Sequence, residues 1–387
     1  MPAAPWLRKT GQVLRDGWVI VGVALAILLT ADGLYSAQAA FRLSRHRNDQ
    51  SAPWLSPRHP QAHESWWKDV PAVVIFGSNI RYDPYRGFWP TPLSSPVINV
   101  DSAGLRRTAL PAAPADAPQL FFFGGSVMWG WIVPDSLTIP SLAAGMFAAE
   151  GHPVRALNLG QPTFQITQEA ATLLLKLRGG SSPAVAVFLD GVNEIQSAYE
   201  NGQAGHIYNE QLFARRFADG RQTGFFGNLV RAGENLAIVQ RLALLKSPAP
   251  TARPHPEACA GVAKQYARMT RAIAALGREF GFTPLFLWQP MLPTSHKKMG
   301  PFEQAVGDPE PGFADMARRC TAMADSAMAA QPGANYIDLA GLFDSETSDI
   351  FWDEHGHLVE SGNRAVARRI VDLVTPMIAR RPDGPHE

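Results

Sequence analysis

Gln119-Leu-Phe-Phe-Phe-Gly-Gly-Ser-Val-Met-Trp-Gly130 is the stretch whose reading decides the fold. Its apolar run, Leu120 to Phe123, has the length of a strand and no polar alternation. Such a run suits a strand buried on both faces of a parallel sheet. Two glycines and a serine end it. Gly124 and Gly125 carry no Cβ, so the chain can turn sharply there and let another group approach closely. Ser126 then stands at a strand end, where open α/β sheets place their ligands. On this stretch alone, a buried strand that stops at an ordinary glycine turn reads the same way.

Downstream, strands and helices alternate. A helix is expected near 137–150, with Ile139, Leu142, Met146 and Ala149 on one face. A short strand, Val154 to Leu157, runs into the turn Asn158-Leu-Gly160. A helix near 166–178 stops at Gly179, and the buried strand Ala184 to Leu189 leads into Asp190-Gly-Val-Asn-Glu194. The alternation pauses over about 196–256, a largely helical insertion that closes in a Pro/Ala linker. It resumes with a helix near 257–280, whose stripe includes Cys259, Val262, Tyr266 and Met269. The strand Pro284 to Trp288, a helix near 312–329, the strand Asn335 to Leu339 and a last helix from about Ser361 to Ile378 complete the order. Alternating strands and helices imply a parallel sheet covered on both faces. The expected class is therefore α/β, in a three-layer α/β/α sandwich.

The 387 residues hold enough apolar side chains, 46%, for a full core. A formal net charge of +1 and the lack of a basic stripe argue against a nucleic-acid partner. No P-loop, dinucleotide fingerprint or zinc-protease helix motif is present. His355 and His357 are metal-ligand types, but no other ligand cluster supports a metal. No cofactor is expected.

The first 41 residues differ from the rest. Trp18 to Ala31 is continuously apolar and follows Arg8, Lys9 and Arg15. It has the length of a signal-peptide core, and Ala37-Gln38-Ala39 resembles a cleavage site. Apolar character resumes through Leu34, Tyr35 and Phe41, which suits a tilted membrane span. Either reading exports the chain, and the uncleaved anchor is the one adopted. Residues 42–118 read as a linker and lead-in, with strand-like pieces at Ala72 to Phe76 and Val97 to Val100, ahead of a domain over 119–380.

A second informative stretch is Phe351-Trp-Asp-Glu-His-Gly-His-Leu-Val-Glu-Ser-Gly-Asn363. It sets acids and histidines just before a helix. Beside Ser126, such a pair would complete a set of nucleophile, base and orienting acid. Histidine suits the base because it titrates near neutrality.

Four stretches, in order, resemble the blocks of the SGNH (GDSL-like) hydrolases. They are Gly124-Gly-Ser126, Gly160 in Asn-Leu-Gly, Gly191-Val-Asn193, and His357-Leu-Val-Glu-Ser-Gly-Asn363. The lead-in, with Asp83-Pro-Tyr-Arg-Gly and Asn99-Val-Asp-Ser-Ala-Gly-Leu-Arg106, resembles membrane-anchored bacterial members. The resemblance implies a flavodoxin-like parallel sheet and a serine esterase that works through an acyl-serine. It implies Ser126 as nucleophile and His357 as base. Ser126, Gly160 and Asn193 would form the oxyanion hole. Three departures stand out: Gly125 replaces the usual Asp, Glu194 replaces an Asp, and the usual acid position holds Glu354 with Asp353 one residue earlier. Asp353 is preferred, because Gly356 permits a kink that absorbs the extra residue.

Trp129, Trp131, Trp288 and Trp352 fall near the same strand ends. Their rings would either stack on a sugar or fill the core. Cys259 and Cys320 sit on apolar helix stripes, as two buried thiols or as one disulfide. The expected partners are an acyl ester, in particular an O-acetyl group on a polysaccharide, and the membrane, with the domain in the periplasm. Two other readings remain open: an O-acetyltransferase using the same triad, and a catalytically idle polysaccharide-binding or assembly protein.

Overall fold

The computed structural model describes residues 5–46, 59–71, 74, 79–109, 111–207, 210, 254–306, 310–331 and 333–379. Helix α1 (Pro5–His46) is continuous over 42 residues. Within it, Arg15–Leu34 has a mean hydropathy of 2.0 over 20 residues. At the helical rise such a segment covers ~30 Å, the thickness of a bilayer's hydrocarbon core.

Residues 53–213 and 252–387 make a second compact unit. It opens with an arm and a hairpin, β1 (Ile80–Asp83) and β2 (Gly87–Pro90), paired antiparallel. Asp83 Oδ1 accepts the N–H groups of Tyr85 and Arg86 in the turn, and its Oδ2 meets the Arg86 guanidinium at 2.7 Å. Of the strand expected over Ala72 to Phe76, only Val74 is among the described residues, and it is helical. Val97 to Val100 contributes no regular strand. Val100 makes isolated bridges to Leu93 and Arg106.

The main sheet follows the predicted alternation. Its strands are β3 (Gln119–Gly124), β4 (Arg155–Asn158), β5 (Val185–Asp190), β6 (Thr283–Trp288) and β7 (Tyr336–Asp338). All pairs are parallel, in the order β4-β3-β5-β6-β7. Counted from β3 this is the flavodoxin-like order, whose switch point lies between β3 and β5 and opens a crevice at their ends.

The connecting helices are α2 (Ser126–Trp129), α3 (Ile139–Ala149), α4 (Ile166–Arg178), α5 (Val192–Asn201), α6 (Cys259–Phe280), α7 (Pro301–Val306), α8 (Phe313–Ala329) and α9 (Glu360–Ala379). Thr138 Oγ1 caps α3 by accepting from the Ser141 N–H, and Pro140 fits the first turn. Of the predicted insertion, α5 reaches Asn201 and a turn follows. Residues 211–253 lie outside the described residues.

Alternate side chains of the strands feed two layers. Phe121, Phe123, Phe188 and Phe286 pack with α4, α5, α6 and α8. Leu120, Phe122, Val187 and Leu287 pack with α3 and α9. Phe123 and Phe188 stack at 4.7 Å. Each fully buried ring of this kind stabilises by roughly 1.5–3 kcal/mol. Cys259 on α6 and Cys320 on α8 form a disulfide across 61 residues, so the bridged reading holds. Closing a loop of that length contributes about 4 kcal/mol in the chain-entropy model.

A third cluster joins the arm to the loops above the sheet, through Val70, Val74, Ile98, Trp129, Ile132, Trp352 and Val359. Arg106 pins it. Its side chain is fully buried, with Nε on Asp135 Oδ1 at 2.8 Å and Nη2 on the Val133 carbonyl at 2.7 Å. Asp135 also accepts the backbone and side-chain N–H groups of Asn99. The Asn99…Arg106 motif is thus a clamp on the loop that follows Ser126. Removing either charge would strand the other, at a cost of about 3–5 kcal/mol.

Candidate active site

Ser126 opens α2 directly after β3, so its backbone N–H lies at a helix start, without an intrahelical partner. Its Oγ lies 2.7 Å from His357 Nε2. His357 Nδ1 lies 2.5 Å from Asp353 Oδ2, and Asp353 Oδ1 accepts the His357 backbone N–H at 3.1 Å. The three side chains sit in nucleophile, base and acid order.

The loop carrying the last two is tied at its base. The Phe351 and Leu358 backbones bridge, and Val359 N–H donates to the Ile350 carbonyl. Glu303 accepts the N–H groups of Ile350, Phe351 and Gly300 and pairs with buried Lys297. Burial raises the Glu303 carboxyl, but Lys297 and these N–H groups outweigh it and hold the group below its ordinary value. Inside the loop, Gly356 has φ +86°, and a Cβ there would lie 2.4 Å from the Pro290 carbonyl oxygen. This is the kink that brings Asp353, four residues before His357, under the ring.

Asp353 is held ionised. Burial opposes this, and the His357 charge and hydrogen bond, with the His355 charge, overcome it. Glu354 turns away, toward His355 Nδ1 at 3.8 Å. His355 lies between Glu354 and Glu310, with Nε2 3.1 Å from Gln196 Oε1. Burial lowers its pKa, but the Glu310 hydrogen bond and the charges of Asp353, Glu354 and Glu310 carry it up to about 9. Glu310, Glu354 and His355 bring ligand-type atoms within 4.8 Å of one another. With its pKa raised, His355 carries positive charge toward Glu310 and Glu354.

The expected oxyanion donors lie at the ends of β3, β4 and β5. Asn193 spends one amide N–H on the Phe164 carbonyl at 2.7 Å and keeps its second. A Cβ on Gly125 would lie 2.0 Å from Asn193 Nδ2, so the glycine in place of the usual Asp leaves room for this amide. Gly160 departs from expectation. Its N–H is committed to Asn158 Oδ1 at 3.0 Å, while Asn158 Nδ2 reaches the Met128 and Trp129 carbonyls. In this arrangement Ser126 N–H and Asn193 are the donors left for a substrate oxygen. Nothing in the sequence signals this role for Asn158, because a polar residue ending a strand reads as an ordinary turn former.

The four tryptophans separate. Trp288 is fully buried, donates to Thr321 Oγ1 at 2.9 Å and packs on Tyr266, so it is core and not a substrate platform. Trp129 is also buried, beneath the Arg106 guanidinium. Trp352 is buried and stacks on His357 at 4.8 Å. Trp131 is half-buried, also 4.8 Å from the His357 ring.

A 2-1-3-4-5 parallel sheet thus carries the serine after its first strand, the Gly and Asn blocks after the next two, and the His block after its last. This sheet order and placement of the four blocks agree with the fold that the resemblance to the SGNH hydrolases implies. No family model and no curated protein matches the chain in sequence. Among solved structures it is similar to the acetyl xylan esterase AlAXEase, at 14% identity over 66% of this chain and 99% of that one, with a TM-score of 0.37. It is also similar to an acetylxylan esterase from Geobacillus stearothermophilus, at 11% identity over 66% and 94% of the two chains, TM-score 0.36. A G-D-S-L family protein from Desulfitobacterium hafniense gives 8% identity over 66% and 99%, TM-score 0.37.

The remaining departure from the SGNH pattern, Glu194, has a structural role. Its Oε1 accepts the Ile166 N–H at 2.8 Å and its Oε2 the Gly191 N–H at 2.9 Å, joining the starts of α4 and α5. Beside it lie Glu169 and Asp190, both buried, with no ion pair to either among the described residues. Burial, and then the neighbouring carboxylates, raise both well above their ordinary values. One proton held between the two carboxyls would satisfy both. The folded chain therefore binds more protons than the unfolded chain. This contribution to stability is complete below the ordinary carboxylate range and is lost as pH rises above about 4.5. Glu169→Gln supplies the donor without a proton. Its melting temperature, minus that of the parent, is expected to grow from pH 4 to pH 8. A constant difference would mean that no proton is shared.

Proposed function

We propose that this chain is a serine ester hydrolase that acts on acyl esters, with O-acetyl groups of a polysaccharide as the substrate class. The observation that carries the reading is the continuous hydrogen-bonded line from Ser126 through His357 to Asp353. His357 Nε2 takes the Ser126 proton as Oγ attacks the ester carbonyl. The Ser126 N–H and the Asn193 amide face the oxygen that gains charge. His357 then returns the proton to the leaving sugar hydroxyl, and water, deprotonated by the same ring, releases the acid. Trp131, the one expected platform with exposed surface, is the ring left to meet a sugar. The apolar segment of α1 supports a membrane anchor, and on this reading the enzyme is exported with its catalytic unit in the periplasm.

The test is product identification. Purified full-length chain in detergent is incubated with an acetylated polysaccharide, with and without an unacetylated glycan. Free acetate that rises with time in both arms supports hydrolysis. Acetyl recovered on the added glycan would reassign the chain to transfer, and no change in either arm would remove the catalytic reading for this substrate class.

A further inference from the structure

Two hydrogen bonds hold the His357 ring by its nitrogens, Nδ1 to Asp353 and Nε2 to Ser126. Together with the Cβ–Cγ bond they orient the imidazole. Its remaining libration about the line between the nitrogens is limited further by what lies against the ring faces. Trp352 stacks on His357 with ring centres 4.8 Å apart and planes 22° apart. Trp352 in turn meets His59 at 5.3 Å, and His59 stacks on Trp67 at 4.4 Å and 30°. His59 and Trp67 belong to the arm upstream of the sheet, more than 50 residues before Ser126 in the chain. Phe302 meets His59 edge-on at 5.8 Å.

We propose that His59, acting through Trp352, is a positioning residue for His357, so that the arm is part of the catalytic unit. His59 is 3% exposed, a level of burial more usual for a core residue than for a linker histidine. Its Nδ1 accepts the Gln61 N–H at 3.1 Å, which places the proton of the neutral ring on Nε2. Burial lowers its pKa to about 4 against the pull of the Asp353 charge, so the ring stays neutral at working pH. A neutral ring does not compete with His357 for Asp353. The arm also reaches a second ring that borders the base, next to Trp352. The Val74 carbonyl accepts the Trp131 indole N–H at 3.1 Å, and Trp131 lies 5.4 Å from Trp352 and 4.8 Å from His357. A small tilt of a catalytic ring, caused from outside the reacting groups, can cost up to ~10²-fold in turnover.

The inference rests on the esterase reading, and the experiment separates the two. Full-length His59→Ala, His59→Phe, Trp352→Leu and Trp352→Phe are compared with the parent in two measurements. One is kcat and KM for 4-nitrophenyl acetate. The other is the downfield proton resonance of the His357–Asp353 hydrogen bond. His59→Ala and Trp352→Leu are expected to lower kcat by about 10–10²-fold, with KM within about twofold, and to broaden or remove the resonance. The two Phe variants, which keep a flat ring, are expected to restore kcat to within about threefold and to keep the resonance. Parent-like kcat and resonance in both His59→Ala and Trp352→Leu overturn the proposal, as does failure of both Phe variants to rescue. If His59→Ala does not fold, the Trp352 pair decides alone. If the parent itself does not turn over the ester, the esterase reading fails and the resonance still decides the positioning role.

Discussion

Ser126→Ala is expected to lower kcat for 4-nitrophenyl acetate by about 10⁶-fold, close to the loss seen when a serine hydrolase's whole triad is removed. The size follows from the geometry. Among the described residues Ser126 Oγ is the hydroxyl placed on His357 Nε2, at 2.7 Å, so alanine leaves the base with water to deprotonate. The Asn193 amide and the residue 126 backbone N–H survive the change, and about 10³-fold of catalysis over water remains from them. Stability should be unaffected, because the Oγ makes no other described contact that holds the fold. Single-turnover kinetics and a melting curve check both halves. Parent-like turnover by a well-folded Ser126→Ala would remove the nucleophile assignment.

The second large effect concerns the acid. Asp353→Asn is expected to cost about 10⁴-fold in kcat, and Glu354→Gln no more than about threefold. Asp353 meets His357 twice, at the ring Nδ1 and at the backbone N–H. An amide at 353 presents an N–H where the ring needs an acceptor, which favours the wrong imidazole tautomer. The Glu354 carboxyl lies beside His355, and burial raises its pKa. It is the less ionised of the two neighbours and does not touch the base. Steady-state kinetics of the two variants side by side settle the assignment. A large loss in Glu354→Gln alone would transfer the role.

What the sequence discloses about this fold is what is periodic or local. The run Leu120 to Phe123, the helix stripe from Cys259 onward and the glycines at strand ends are local signals, and each element stands where its pattern places it. The kink at Gly356 is legible because a glycine between two candidate acids and a histidine has a purpose in only one of the two pairings. The arm is not legible. Its cluster is made of scattered Trp, Val and His residues with no period, and their partners lie far along the chain. The disulfide needs proximity, which spacing does not encode. Trp288 illustrates a different limit: being near a strand end does not say whether a ring faces the crevice or the helix layer behind it. The commitment of Gly160 to Asn158 is of the same kind, since a backbone N–H has no identity in sequence.

β3 serves both layers at once, with Leu120 and Phe122 on one side and Phe121 and Phe123 on the other. A strand at a sheet edge or with a solvent-facing side has room to absorb an extra residue as a bulge. This one has neither. A single insertion or deletion between 119 and 125 would exchange every ring between two cores of different shape and turn Ser126 to the opposite face, away from His357. Length variation in this protein is therefore confined to the loops and helices around the strand. The span from Gln119 to Ser126 acts as a ruler that allows replacement of residues but no change in their number.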